Sequence, residues 1–342
     1  MNEILRPDDT RDALRKIGGL LLGLAAAMIF IRKGGIFPSA NRDRWAAFPL
    51  FLVVAAPAVY LYSGLLAGPE KGELRVWQSV HSVFALLLVP IALREFVVVL
   101  GGSPGASLNT FWIFAITAGL AFYTATRFAV RVQLLLGSIA VIVSWTALWD
   151  KILSGGVTAH WGIYRGLLGI VAIGLLAGAL YVWGTNPGGT KVAASATRPD
   201  GDLGLWKASE LLTGAGIAAV IATGLGIASY TKLFAPLGAT NVAPIQTSNL
   251  WDTLLLLVSL GLVAIGSQIG TRGPVYVGAI GLLLFLVIAG FDLNSTPPHP
   301  FRFGAWPWVL LVLGLIGIAL SFRRDASLGD QPRRFIENLR GR

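Results

Sequence analysis

Gly72-Glu73-Leu74-Arg75-Val76-Trp77-Gln78-Ser79, followed by His81, recurs further along the chain as Gly201-Asp202-Leu203-Gly204-Leu205-Trp206-Lys207-Ala208, followed by Glu210. Each copy sets an acidic residue and a tryptophan just ahead of a long apolar run. That is the pattern of a helix starting at a membrane surface, where indole rings favour the headgroup level. The downstream residues also run in parallel: Thr126-Arg127 answers to Thr271-Arg272, Ala147-Leu148-Trp149-Asp150 to Ala289-Gly290-Phe291-Asp292, and His160 to His299. Self-similarity on this scale predicts an internal duplication. It predicts an architecture and leaves the reaction open.

Composition fixes the class. Of 342 residues, 55% are hydrophobic and 13% charged, whereas soluble domains carry roughly 25% charged residues. Apolar runs of about 20 residues, enough at about 1.5 Å per residue to cross a hydrocarbon core of about 30 Å, recur along the whole length. The expected fold is all-α, a polytopic helical membrane protein of about 10 transmembrane helices with an internal duplication of a four-helix unit. The alternating segments of a transmembrane barrel are not found.

Residues 1–71 read as an N-terminal tail and a two-helix unit. Asp8, Asp9 and Thr10 offer helix caps. The apolar run Ile17–Ile31 is short: it spans if Arg15, Lys16, Arg32 and Lys33 snorkel, and otherwise lies at the interface. Trp45–Leu66 is a clear span. The first repeat, 72–183, holds spans at Val76–Leu100, Phe111–Ala129, Val132–Leu153 and Ile163–Trp183. A polar linker, 184–200, leads to the second repeat, 201–322, with spans at Leu205–Phe234, Leu250–Ile269, Val275–Leu293 and Trp306–Phe322. Residues 323–342 form a basic tail.

Orientation follows from Lys and Arg on alternate sides. A cytoplasmic C terminus gathers Lys71, Arg75, Arg127, Arg131, Lys191, Arg198, Arg272 and the tail arginines on one side, while loops 101–108 and 237–249 on the other carry neither residue type. The expected location is the cell membrane, multi-pass, with both termini cytoplasmic. Arg32, Lys33, Arg42 and Arg44 run against that rule if Ile17–Ile31 spans. The net charge of +10 sits at helix ends and tails, where it suits anionic headgroups, and no nucleic-acid-binding motif accompanies it. The expected partners are the lipid bilayer and a second membrane subunit, with no nucleic acid. The absence of cysteine excludes disulfides, thiolate metal sites and thiol catalysis.

Helices in lipid gain little from hydrophobic contact with one another, so small residues that allow close approach carry the packing. Gly19 with Gly23, Gly174 with Gly178, and Gly266 with Gly270 have the required spacing. Packing within the chain, rather than dimerisation, is the expected use.

Ionisable residues inside spans are the default functional candidates because their burial is costly. Arg94 and Glu95 qualify. Adjacent on one helix, they point about 100° apart, so each needs a partner from elsewhere: Asp150 for Arg94, and Lys151, Arg165 or Lys232 for Glu95. Both are expected to be buried with such partners. The second copy has Thr223 and Gly224 at these positions. His81 shares a helix face with Glu95, and Glu210 is its counterpart in the second copy. Both are expected to serve the interface structurally. Asp150 with His160, and Asp292 with His299, form two equivalent pairs on the outer face. Carboxylate and imidazole can ligate metal or act as acid and base, yet two ligands per copy do not close a site, and loop or cap duty is the expected role.

No phosphate-binding loop, H-E-x-x-H or G-x-S-x-G is present, and no cofactor or metal is implied. The leading expectation is a non-catalytic membrane subunit or scaffold, packed through glycine-rich faces, whose basic tail serves a partner or anionic lipid. The alternative is a small-molecule or ion transporter or channel of two parallel repeats, with its site near Arg94 and Glu95. A membrane enzyme acting on a lipid-linked substrate comes third. A dry, glycine-packed interface between the copies favours the scaffold, and a wet cavity lined by Arg94, Glu95 or Thr223 favours transport.

Overall fold

The computed structural model describes residues 7–34, 44–66, 76–128, 130–153, 156–185, 203–225 and 249–293. Among these, every regular element is a helix: α1 (Pro7–Gly34), α2 (Arg44–Leu66), α3 (Val76–Val99), α4 (Ser107–Phe128), α5 (Arg131–Ile152), α6 (Gly156–Thr185), α7 (Leu203–Gly224), α8 (Asn249–Ile269) and α9 (Arg272–Leu293). Six of them, α2 to α6 and α8, contain stretches long and apolar enough to cross a membrane, and α1 and α9 carry shorter apolar stretches, Ile17–Arg32 and Arg272–Ile288. The chain is a helical membrane protein. The expected span Trp306–Phe322, the linker 184–200 beyond Thr185 and the tail 323–342 lie outside the described residues. The chain divides into two compact units, Met1–Phe285 and Leu286–Arg342. Helices α1 to α8, and α9 as far as Phe285, belong to the first unit.

Helix ends obey local chemistry. Pro7 opens α1, where its missing N–H would have had no partner in any case. α3 stops because Gly101 turns left-handed at φ +82°. The Gly101 N–H then donates to the Val98 carbonyl and the Gly102 N–H to the Val97 carbonyl, each at 2.8 Å, closing off the last turn. Gly270, at φ +74°, ends α8 in the same way, with the Thr271 N–H on the Gly266 carbonyl at 2.9 Å. Gly266 packs within the chain as expected, against Pro274 and Val275 of α9, whereas Gly270 meets nothing among the described residues and shapes the turn. Pro49 and Pro57 inside α2 and Pro90 inside α3 are tolerated as in other membrane helices.

Consecutive helices run antiparallel. Phe51 of α2 meets Phe96 of α3, centroids 5.5 Å apart, and the Ser144 hydroxyl of α5 donates to the Phe111 carbonyl of α4 at 3.0 Å. The Trp145 indole N–H of α5 donates to the Leu167 carbonyl of α6 at 3.1 Å. Two apolar clusters result. One joins α1, α2 and α3 through Ala26, Phe30, Val54, Leu61, Ala85 and Leu88. The other joins α4 to α7 through Ala125, Leu134, Leu168, Leu175, Leu211 and Ala218. On the outside Met28, Trp45, Val59, Ile173, Tyr181 and Leu283 stand exposed, as they should where the surroundings are lipid.

α7 is buried along nearly all of Ala208–Gly224 and is rich in Gly, Ala, Ser and Thr. Gly214 lies so close to Ser138 of α5 that a Cβ there would overlap its side chain, and Gly216 abuts Leu262 of α8 and Val277 of α9. A helix enclosed by other helices gains more from small residues than from bulk. The Gly19 and Gly23 pair packs as expected within the chain, against His81 and Phe84 of α3. Gly178 meets only Leu211 at ordinary contact distance, and Gly174 meets nothing among the described residues.

Candidate functional site

At one end of this bundle α3, α5 and α7 finish while α4, α6 and α8 begin. Arg94, Glu95, Asp150, Arg165 and Asp252 all lie toward it. Glu95 is 0% exposed, and Arg94, next to it, is only half-buried. The expectation of two equally buried residues therefore divides. The arginine lines a cavity of ≈ 460 Å³ between α1, α3 and α4, with Phe30, Ile31, Ile91, Ile113 and Phe114 among its walls. The Nε of Arg94 is buried with no hydrogen-bond partner among the described residues.

Asp150 is not the partner of Arg94. At the end of α5 it accepts hydrogen bonds from the Ser107 hydroxyl at the start of α4 and, at 3.4 Å, from the Tyr164 hydroxyl of α6. These hold the carboxylate in a second cavity, of ≈ 380 Å³, whose walls include Thr110, Thr146, Ile142, Leu168, Ile221 and Leu225. Gly105 and Thr110 belong to both cavities. The first turn of α4 thus separates a cavity with a cation from one with an anion.

The hydroxyls of Ser107 and Tyr164 take the place that sequence reading gave to His160. His160 instead breaks the geometry of α6, at φ −128° and ψ 28°, and so redirects the helix that carries Trp161, Tyr164 and Arg165. The second pair is not described as a pair: Asp292 lies in the last turn of α9, with no side-chain description, and His299 lies outside the described residues. Thr223 of α7 turns its hydroxyl back to the Ala219 carbonyl at 2.8 Å, leaving the neighbouring cavity wall to Ile221 and Leu225.

Arg165, which sequence reading names as one of three possible partners for Glu95, lies between aromatic rings. It is the largest fully buried side chain among the described residues, 1% exposed. Its guanidinium lies 4.4 Å from the ring centroid of Trp161, one turn earlier on α6, and 4.9 Å from that of Trp251 on α8. Both rings attract the cation through their negative faces. Asp252, also 1% exposed, interacts with it electrostatically. No hydrogen-bond acceptor among the described residues reaches any of its three nitrogens. The available signal was Trp161 four residues before an arginine in an apolar run, since such residues share a helix face.

At the opposite end, His81 is buried and its imidazole fills the space left open by Gly19 of α1. Gln78, Ser82 and Gln133 are buried at the same end, and Glu210 is half-buried in the first half of α7. Among the described residues no group of three His, Asp or Glu side chains is placed to hold a metal ion. No family model matches the chain, and comparison with curated proteins and with solved structures finds no similar protein.

Proposed function

We propose that the chain is a non-catalytic integral membrane subunit or scaffold of about ten spans, built by duplication of a four-helix unit, with both termini in the cytoplasm of a cell whose plasma membrane it occupies. The observation that carries this reading is the contact between the copies, where Gly214 of α7 closes on Ser138 of α5 and Ser138 is fully buried with its hydroxyl on the Leu134 carbonyl at 2.8 Å. At this level the joint is dry, and α5 and α7 part only further along, around the cavity that holds Asp150. Gly162, Gly166 and Gly169 of α6 meet nothing among the described residues, and a small-residue face of this kind suits a second membrane subunit. The basic tail, 323–342, would serve a partner or anionic lipid.

The duplication gains support from two hairpins. α5 opens with Arg131 and α9 with Arg272, and in each a glycine follows in the second turn, Gly137 or Gly278. Gly137 packs against Ala121 and Phe122 of α4, and Gly278 against Ser259 and Val263 of α8. By position in the hairpin Arg272 then corresponds to Arg131, whereas Arg127 sits in the last turn of α4.

Because the chain has no cysteine, single cysteines report directly. Ser138→Cys in proteoliposomes is expected to resist a charged thiol reagent, while a Ser103→Cys control reacts from outside and Gly188→Cys only after permeabilisation. Modification of Ser138→Cys at a rate near that of the control would remove the scaffold reading. It would favour transport, the second reading, which draws its support from the charged cavities on either side of α4.

A further inference from the structure

We propose that the cavity between α1, α3 and α4 binds the phosphate-bearing head of an anionic membrane lipid, with the Arg94 guanidinium as its counter-ion. The inference goes beyond the subunit reading and does not require it. Arg94 brings the charge into a cavity of ≈ 460 Å³ whose other walls include Phe30, Ile31, Ile91, Ile113 and Phe114, a size within the usual range for small-molecule sites. Among the described residues, the carboxylates nearest in the fold are otherwise disposed: Glu95 points about 100° away around the helix, and Asp150 is held by Ser107 and Tyr164 beyond the Gly105 and Thr110 wall. Its buried Nε has no partner among the described residues, and a guanidinium fork matches phosphate oxygens.

Position selects a lipid over a soluble anion. Ile31 lines the cavity and is 50% exposed on the outside of the bundle, so acyl chains can continue from the cavity along the lipid-facing surface. Arg94 lies near the C-terminal end of α3, close to headgroup depth. Arg44, whose guanidinium rests against Gly101, adds a second positive charge at that end.

The test is native mass spectrometry of the full chain in detergent, titrated with phosphatidylglycerol, phosphatidylcholine or inorganic phosphate. Phosphatidylglycerol is expected to bind in preference to phosphatidylcholine, and Arg94→Gln to weaken it about tenfold, as the loss of a charge-assisted hydrogen bond implies. Arg94→Lys should retain part of the preference. A second variant, Gly105→Phe, keeps the charge and adds bulk at the cavity wall: a Cβ at Gly105 meets nothing among the described residues, and the added ring is expected to take up part of the space that Gly105 borders. It should lower phosphatidylglycerol binding to the same extent, and it decides the matter if Arg94→Gln does not fold. Equal binding of the two lipids, or an unchanged preference in the folded variants, would overturn the site. Displacement of phosphatidylglycerol by inorganic phosphate at comparable concentration would assign the cavity to a free anion and overturn the lipid.

Discussion

The two ends of the bundle solve the burial of polar groups by different means. Where α4, α6 and α8 begin, charges are drawn into the bundle, and three of them are accommodated in different ways: indole faces for Arg165, hydroxyls for Asp150, an open cavity for Arg94. Where α3 and α7 begin, the fully buried groups are an imidazole, amides and hydroxyls: His81 is seated against Gly19, Thr213 turns back to the Ser209 carbonyl at 2.7 Å, and Gln133 lies buried with neither amide atom hydrogen-bonded among the described residues. A neutral polar group can be satisfied within one turn, whereas a charge in low dielectric needs other elements. The charged end therefore suits the ligand proposed above, while the other end packs helix against helix.

The largest effect that would test this contrast is expected at Arg165. Arg165→Met keeps an unbranched side chain between Trp161 and Trp251 but removes the cation and leaves Asp252 buried beside apolar rings. Breaking a buried charge pair in this way costs about 3–5 kcal/mol, read as a lower unfolding midpoint in a fixed detergent. Adding Asp252→Asn should recover part of the loss. A midpoint equal to that of the wild type would mean that the indoles alone stabilise whatever lies between them, and the charge would lose its place in the comparison.

A smaller loss is expected at the joint. Gly19→Leu drives a side chain into the His81 imidazole, and overpacking of this kind costs about 1–3 kcal/mol. His81→Ala in the Gly19→Leu background should restore part of it, since the alanine vacates the space that leucine needs. Failure of the second change to help would show that α1 shifts as a body and that the close seat of His81 does not matter.

Where helices begin and end was largely legible in the sequence, because tryptophan, arginine and glycine mark the interface in one dimension. α2, α3, α5 and α8 match the expected spans to within a residue or so. α6 begins earlier than Ile163, at Gly156, since Gly155-Gly156 reads as a loop and the helix is joined through a kink at His160. α7 is described from Leu203 to Gly224, and the rest of the expected span to Phe234, from residue 226 on, lies outside the described residues. Partners across helices were not legible. Nothing local distinguishes an arginine that meets Glu95 from one that meets Trp251, and Asp150 was matched to His160 because a carboxylate and an imidazole are conspicuous, while a serine and a tyrosine are not. The Gly19 and Gly23 pair could be read because spacing alone places both on one face.

The smallest effect on stability is expected at Arg94, and it tests the contrast within the charged end itself. Sequence reading treats Arg94 and Glu95 alike, as buried groups whose loss strands a partner. The structure sets them apart: Glu95 is fully enclosed, while Arg94 is half-buried on a cavity wall with no acceptor on its Nε among the described residues. A cation with no fixed carboxylate partner among the described residues has little to lose. Arg94→Gln should therefore cost no more than about 0–1 kcal/mol, the range of weakly coupled charges, when measured in delipidated detergent. The same variant should lose most of the stabilisation that added phosphatidylglycerol gives the wild type. A large intrinsic loss for Arg94→Gln would place Arg94 with Arg165, as part of the packing rather than as a group held ready for a ligand.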